Sequence, residues 1–194
     1  MKASLEVMDA PQGAWTPEAL MAALERAATD HAGELGIDHD TMVAQYGCLW
    51  MLVRSRISMR ELPPPGEAMT VRTWLRSPSP AVSIRDYDFL WQGRPVGRGL
   101  QYWVLADAKA RRIISLREVP LLWTLPVPQP ERRETIRRLV LPEPLPEAGA
   151  WTVAPEEIDD NGHLNNVVYV RHAQRFAPPE PKFFEIIYDR ERFA

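Results

Sequence analysis

Seven of the chain's 19 prolines fall between positions 120 and 146, at 120, 126, 128, 130, 142, 144 and 146. Proline fixes φ and lacks an N–H donor, so a stretch this rich in it supports neither a central strand nor a long helix. Residues 120–150 therefore read as an extended connector wrapping the surface. That connector divides the chain into a long first unit, 1–119, and a short second one, 151–194.

In the first unit, Thr16-Pro17-Glu18 opens a helix: a hydroxyl N-cap, a proline where the missing N–H does no harm, and an acid in the first turn. Leu20, Leu24 and Ala27 or Ala28 recur at helical spacing, His31 continues the stripe, and Gly36 is the expected stop. A short helical piece is expected over Asp40 to Tyr46. From Leu49 the period changes, because Val53, Ser55, Ile57 and Met59 alternate with Arg54, Arg56, Ser58 and Arg60. Further strands are expected in "AMTVRTWLR", "AVSIRDYDFLW", "GRGLQYWVLAD" and a short "RRIISL", separated by turn signals at Ser77-Pro78, Gln92-Gly93 and Asp107-Ala108. A long helix followed by antiparallel strands is an α+β pattern. In the second unit, "AWTVAPEEIDDNGHLNNVVYVRHAQRF" predicts a short strand, a polar turn and a helix, and "KFFEIIYDRERF" predicts one strand.

Composition narrows the function classes. With 194 residues and 45% hydrophobic content, the chain can bury a core without staples. Cys48 is the one cysteine, which removes a disulfide framework and most ligands for a zinc site; it reads as a buried small hydrophobe. A net charge of −3 gives no bulk attraction to nucleic acid. No apolar run approaches the roughly 18 residues of a spanning helix, so a cytoplasmic protein without a membrane span is expected.

The densest group of functional side chains is "EEIDDNGHLNNVVYV", where Asp159, Asn161 and His163 alternate and Asn165 and Asn166 follow. One reading is structural, with Asp and Asn building Asx-turns and capping the helix that begins near Asn165. A calcium loop fails, because the twelfth position counted from Asp159 is Val170, where a bidentate Glu is required. The functional reading brings an imidazole, a carboxylate and an amide together at a helix N-terminus, an arrangement suited to hydrolysis of an activated carbonyl. No G-x-S-x-G occurs, so the attack falls to water or a carboxylate. His31 and His39 read as helix-face and loop residues, and His172 as a surface residue of the second helix.

The string "IDDNGHLNNVVYV" resembles the signature of the acyl-carrier-protein (ACP) thioesterases of plants and bacteria, which are built from two hotdog units in one chain. "WMLVRSRISMRELPPPGEAMTVRTWLR" and "IRDYDFLWQGRPVGRGLQYWVLADAKARRIISL" resemble the first hotdog unit of that family. The resemblance implies a tandem hotdog, each unit a long helix wrapped by an antiparallel sheet, with the catalytic turn in the second. It also implies hydrolysis of fatty acyl-ACP thioesters to free fatty acid. The family's catalytic network maps onto Asp159, Asn161, His163 and Glu191, the last from the pattern Tyr188-Asp189-Arg190-Glu191. By this analogy Glu191, or a water it activates, attacks the thioester carbonyl; Asn161 and His163 position and polarise, and Asp159 orients them. Arg192 stands where many members carry Cys, which leaves the carboxylate route.

The resemblance places the acyl chain in the first unit, with Val53, Ile57, Val71, Trp74, Ile84, Trp103 and Leu105 available to line a tunnel or a plain core. The implied partner is ACP carrying acyl-phosphopantetheine, with no cofactor and no metal. Its acidity suggests a basic patch, for which Arg132, Arg133, Arg137 and Arg138, or Arg111 and Arg112, are available; a solvated charge run is the plainer account. In the family a full second sheet follows the strand of Glu191. The second hotdog is therefore expected to be incomplete here, through absence of a further segment, a partner subunit's strands or decay, with Val167, Val168, Val170 and Phe176 uncovered. Open sheet edges suggest a homodimer. The alternatives are an acyl-CoA thioesterase, or a hotdog protein that binds an acyl chain or carrier without cleaving it.

Overall fold

The structure, a computed structural model, describes residues 1–128, 132–137, 144, 149–159 and 162–176, together with the backbone of 183–187. Thr16 accepts a hydrogen bond from the Ala19 N–H, at 3.2 Å, and opens helix α1, Pro17–Leu35. Gly36, in the left-handed region at φ 68°, closes it. Asp38 caps the shorter α2, His39–Tyr46, by accepting from the Thr41 N–H at 3.0 Å.

Among the described residues seven strands pair antiparallel: β1 Ser4–Asp9, β2 Cys48–Met59, β3 Met69–Leu75, β4 Ser83–Trp91, β5 Arg94–Asp107, β6 Ile113–Ile114 and β7 Phe183–Ile187. Their order is β1-β3-β4-β5-β2-β7, with β6 on β5. The strands expected from alternation all form, and β1 is an addition. Its six residues lie at a sheet edge on β3 and carry too short a pattern to separate from an irregular terminus. Trp151–Ala154, expected as a strand, forms none.

The core lies between one face of α1 and the concave face of the sheet. Leu20, Leu24 and Ala27 pack there on Ile57, Met69, Val71, Tyr87 and Phe89. A second cluster at the C-terminal end of the helix joins Leu35, Ile37 and Met42 to Leu105, Leu116 and Leu122. Beyond the sheet, α3, Asn166–Ala173, lies against α1, and Val170 packs on Met21 and Leu52. Val168 and Val170, expected to lack cover, are 5% and 2% exposed. Met21 of α1 and Leu52 of β2 cover Val170, while Phe176 stays 58% exposed.

The connector is more embedded than its prolines suggest. Leu122, Leu125 and Ile136 are buried, and short 3-10 turns form at Leu116–Glu118 and Pro120–Trp123. Residues 132–137 cross the convex face of the sheet, where β2 to β5 present charged side chains. Arg76 makes a two-pronged ion pair with Asp86, at 2.7 and 2.9 Å, and donates to the Glu134 carbonyl at 2.7 Å. Arg56 meets Glu134 at 2.6 Å, and the Ile136 N–H donates to the Tyr102 hydroxyl at 3.0 Å. Arg132 reaches both Asp88 oxygens at 2.8 Å with its guanidinium 4.6 Å from the Trp74 ring centroid. This corrects the reading of Arg132 as a free cation of a docking patch: it is committed within the chain. Arg133, Arg137, Arg111 and Arg112 are exposed, and Arg138 lies outside the described residues.

Candidate active site

Between α1 and the sheet, past the packed core, the structure leaves a cavity of about 940 Å³. Its cause is local. Where α1 passes over β2 and β5 it presents Ala28, Thr29 and Ala32, side chains too small to fill the gap to Leu52, Trp103 and Val104. The strand below is also irregular: Leu52 pairs with Trp103 and Arg54 with Tyr102, so Val53 is an extra residue in a β-bulge. The bulge turns Val53 to the cavity and restarts the alternation, which explains why Ser55, Ile57 and Met59 are buried.

Of the seven residues proposed to line a tunnel, Val53 and Trp103 do so. Ile57, Val71 and Leu105 lie in the packed clusters. Trp74 and Ile84 alternate with the inward Thr73, Leu75, Ser83 and Arg85 and belong to the convex face; Trp74 sits beneath Arg132.

The polar turn lies at the mouth. A bridge between Ile158 and Leu164 closes it, the Asp159 N–H donates to the His163 carbonyl at 2.7 Å, and the Gly162 N–H donates to the Asp159 carbonyl at 2.9 Å. Gly162 adopts φ 73°, a conformation that a side chain would strain. Asp159 Oδ1 accepts the His163 N–H at 3.0 Å, so its carboxylate pins the turn. Asn165 Oδ1 accepts the Val167 N–H at 2.7 Å and starts α3. Turn building and capping are thus real roles of Asp159 and Asn165.

Ile158, Asp159, Gly162, His163, Leu164 and Asn166 all line the cavity. His163 is exposed, and its Nε2 lies 3.0 Å from Arg111 Nη1, at the end of the β5–β6 hairpin. Because an arginine can only donate, Nε2 is the acceptor and a neutral ring carries its proton on Nδ1. The structure brings Asp159 and His163 together at one rim. Asn161 and Glu191 lie outside the described residues.

Two cavity residues escape the sequence reading. Glu25 projects from α1 toward the turn; burial pushes its carboxyl above the usual range, opposed by a hydrogen bond with the Asn165 side chain and reinforced by the negative charge of Asp159. Arg85, on β4, is 4% exposed. Each could have been noticed as a charge on an otherwise apolar face.

The other histidines and the cysteine take defined places. His31 is fully buried, bonded to Arg85, and burial and the neighbouring Arg85 charge hold it below the ordinary histidine range. His39 lines the cavity. His172 corrects the expectation of a surface residue: it is 6% exposed, stacks on Trp151 with centroids 4.2 Å apart, and meets Glu157 at 2.9 Å. Cys48 is fully buried, and burial raises its thiol. Among the described residues no group of acidic, histidine or cysteine side chains is placed to hold a metal ion.

A helix laid in the concave face of an antiparallel sheet, with a cavity beneath it and a polar turn at its mouth, has counterparts. The family model for the N-terminal domain of acyl-ACP thioesterases matches residues 7–119. The chain belongs to the acyl-ACP thioesterase family. Members of this family are thioester hydrolases, and the fold agrees. An acyl-ACP thioesterase from Bacteroides thetaiotaomicron superposes with a TM-score of 0.83 at 20% identity, over 96% of this chain and 81% of that one. The 12:0-ACP thioesterase from Umbellularia californica gives 0.79 at 19% identity, over 97% and 78%. A shorter protein, the DHNA-CoA thioesterase from Staphylococcus aureus, gives 0.54 at 17% identity, over 60% of this chain and 84% of its own. No curated protein matches the chain by sequence. The chain thus has a hotdog unit made by α1 and its sheet, followed in the described residues by the polar turn and α3. Among the described residues, no helix is long and apolar enough to cross a membrane.

Proposed function

We propose that this chain hydrolyses fatty acyl-ACP thioesters, releasing free fatty acid and holo-ACP within fatty acid biosynthesis. The observation that carries the reading is a single cavity, about 940 Å³ in volume, shared by the small-residue stretch of α1 and the turn holding Asp159 and His163. Its size falls in the range of small-molecule sites, about 300–1,000 Å³. In this scheme residues 1–119 hold the acyl chain, 120–150 connect, and 151–194 bring the catalytic turn.

In the reaction, water oxygen adds to the thioester carbonyl, the carbon–sulfur bond breaks, and the thiolate leaves with a proton. Glu191 takes the proton of the attacking water or itself attacks, forming an anhydride that water then opens. Asn161 and His163 position and polarise the carbonyl, and Asp159 holds the turn. Arg111, donating to His163 Nε2, fixes the ring and places positive charge where the tetrahedral oxyanion would form.

Thiol release from matched acyl-ACP and acyl-CoA thioesters tests the proposal. The expected result is turnover of both with kcat/KM higher for the carrier thioester. Absence of thiol release from either, at any chain length, would contradict it and favour an acyl-binding protein without hydrolytic activity.

A further inference from the structure

The cavity wall carries a charge that thioester hydrolysis does not use. Arg85 lies on β4 in alternation with Ser83, Tyr87 and Phe89, the inward face, and lines the cavity while only 4% exposed. Its Nη1 donates to His31 Nδ1 at 2.9 Å and to Thr73 Oγ1 at 3.2 Å. Both partners are neutral. By accepting on Nδ1, His31 keeps its proton on Nε2, which faces the Lys2 carbonyl at 3.3 Å.

The N–H groups on Nε and Nη2 of Arg85 have no hydrogen-bond partner among the described residues, yet they are not sealed from the cavity. The neighbouring acids of the strand, Asp86 and Asp88, are taken by Arg76 and Arg132 on the convex face. Glu25 shares the cavity but its carboxyl is hydrogen-bonded to the Asn165 side chain at the turn. An enclosed guanidinium with neutral partners is costly until an anion completes it. Nε and Nη2 form the planar fork that matches both oxygens of a carboxylate.

We infer that the cavity takes an acyl chain ending in a carboxylate, with the thioester at the His163 turn and the distal carboxylate on Nε and Nη2 of Arg85. The inference rests on the acyl-cavity reading above and names the substrate class as the monothioester of a dicarboxylic acid. The two ends of the cavity fit that polarity. His163 and Gly162 are exposed at the mouth, Arg85 is enclosed, and Leu52, Leu75 and Trp103 supply apolar wall for the methylenes.

Binding separates this inference from the reading beneath it. Pantetheine thioethers, which cannot be hydrolysed, would be titrated into the full chain by calorimetry, one with a methyl end and one of equal length with a carboxylate end. Wild-type protein is expected to bind the carboxylate-ended chain about tenfold tighter or more, and Arg85→Met to erase that difference. Equal or weaker binding of the carboxylate-ended chain by the wild type would overturn the inference while leaving the acyl cavity in place. Failure of both thioethers to bind would overturn the acyl cavity itself. The wild-type comparison holds even if Arg85→Met does not fold.

Discussion

Replacing His163 by alanine is expected to lower kcat/KM for an acyl thioester by about 10²- to 10³-fold, the usual weight of a preorganised group that polarises the reacting carbonyl. The fold should survive. The ring is exposed, its Nε2 meets the Arg111 side chain, and the turn is closed by main-chain bonds and the Asp159 carboxylate, none of which uses the imidazole. Glu191→Ala is expected to cause a loss of similar size if its carboxylate activates or replaces the attacking water. Both variants belong in one thiol-release assay with circular dichroism beside it. Turnover at the wild-type level in a folded His163→Ala protein would remove the imidazole from the mechanism. Asp159→Ala should behave differently, because its oxygen accepts the His163 N–H and its loss loosens the turn as well as the chemistry.

The largest expected stability effect lies on the opposite face of the sheet. Arg76 and Asp86 are 8% and 3% exposed at their side chains and joined by two hydrogen bonds. Truncating one partner of a buried ion pair leaves the other charge enclosed and uncompensated, which costs about 3–5 kcal/mol. Asp86→Ala should therefore lower the unfolding free energy by about that amount in urea denaturation. The effect should reach the connector, since Arg76 also donates to the Glu134 carbonyl. Replacing both partners by apolar residues of similar volume should recover most of the loss. A loss below about 1 kcal/mol for Asp86→Ala would mean the pair behaves as a surface ion pair.

The hotdog unit was legible because its signals are local. The Thr16-Pro17-Glu18 start, the Gly36 stop and the period-two alternation of β2 to β5 each reflect backbone chemistry within a few residues. What escaped depends on contacts distant in sequence. The bulge at Val53 shows in the register with β5, and the cover on Val170 comes from Met21 and Leu52, more than a hundred residues earlier. Arg132 read as surface charge until Asp88 and Trp74 were placed beneath it. At the site, the turn was visible in the chain as a cluster of polar residues. Glu25 and Arg85 left only a weak signal, because a single charge in an amphipathic segment resembles its solvated face until the fold shows which way it points.

The account's central claim is that the cavity beneath α1 and the turn at its mouth form one acyl-thioester site. Its most direct test is kcat/KM as a function of acyl length for wild type and Ala32→Phe, a variant that adds a ring at a residue lining the cavity. The account predicts that the variant keeps its rate on short chains and loses it progressively on long ones, because the obstruction meets only the distal methylenes. A length profile unchanged from wild type in a folded variant would place the acyl chain elsewhere and contradict the claim.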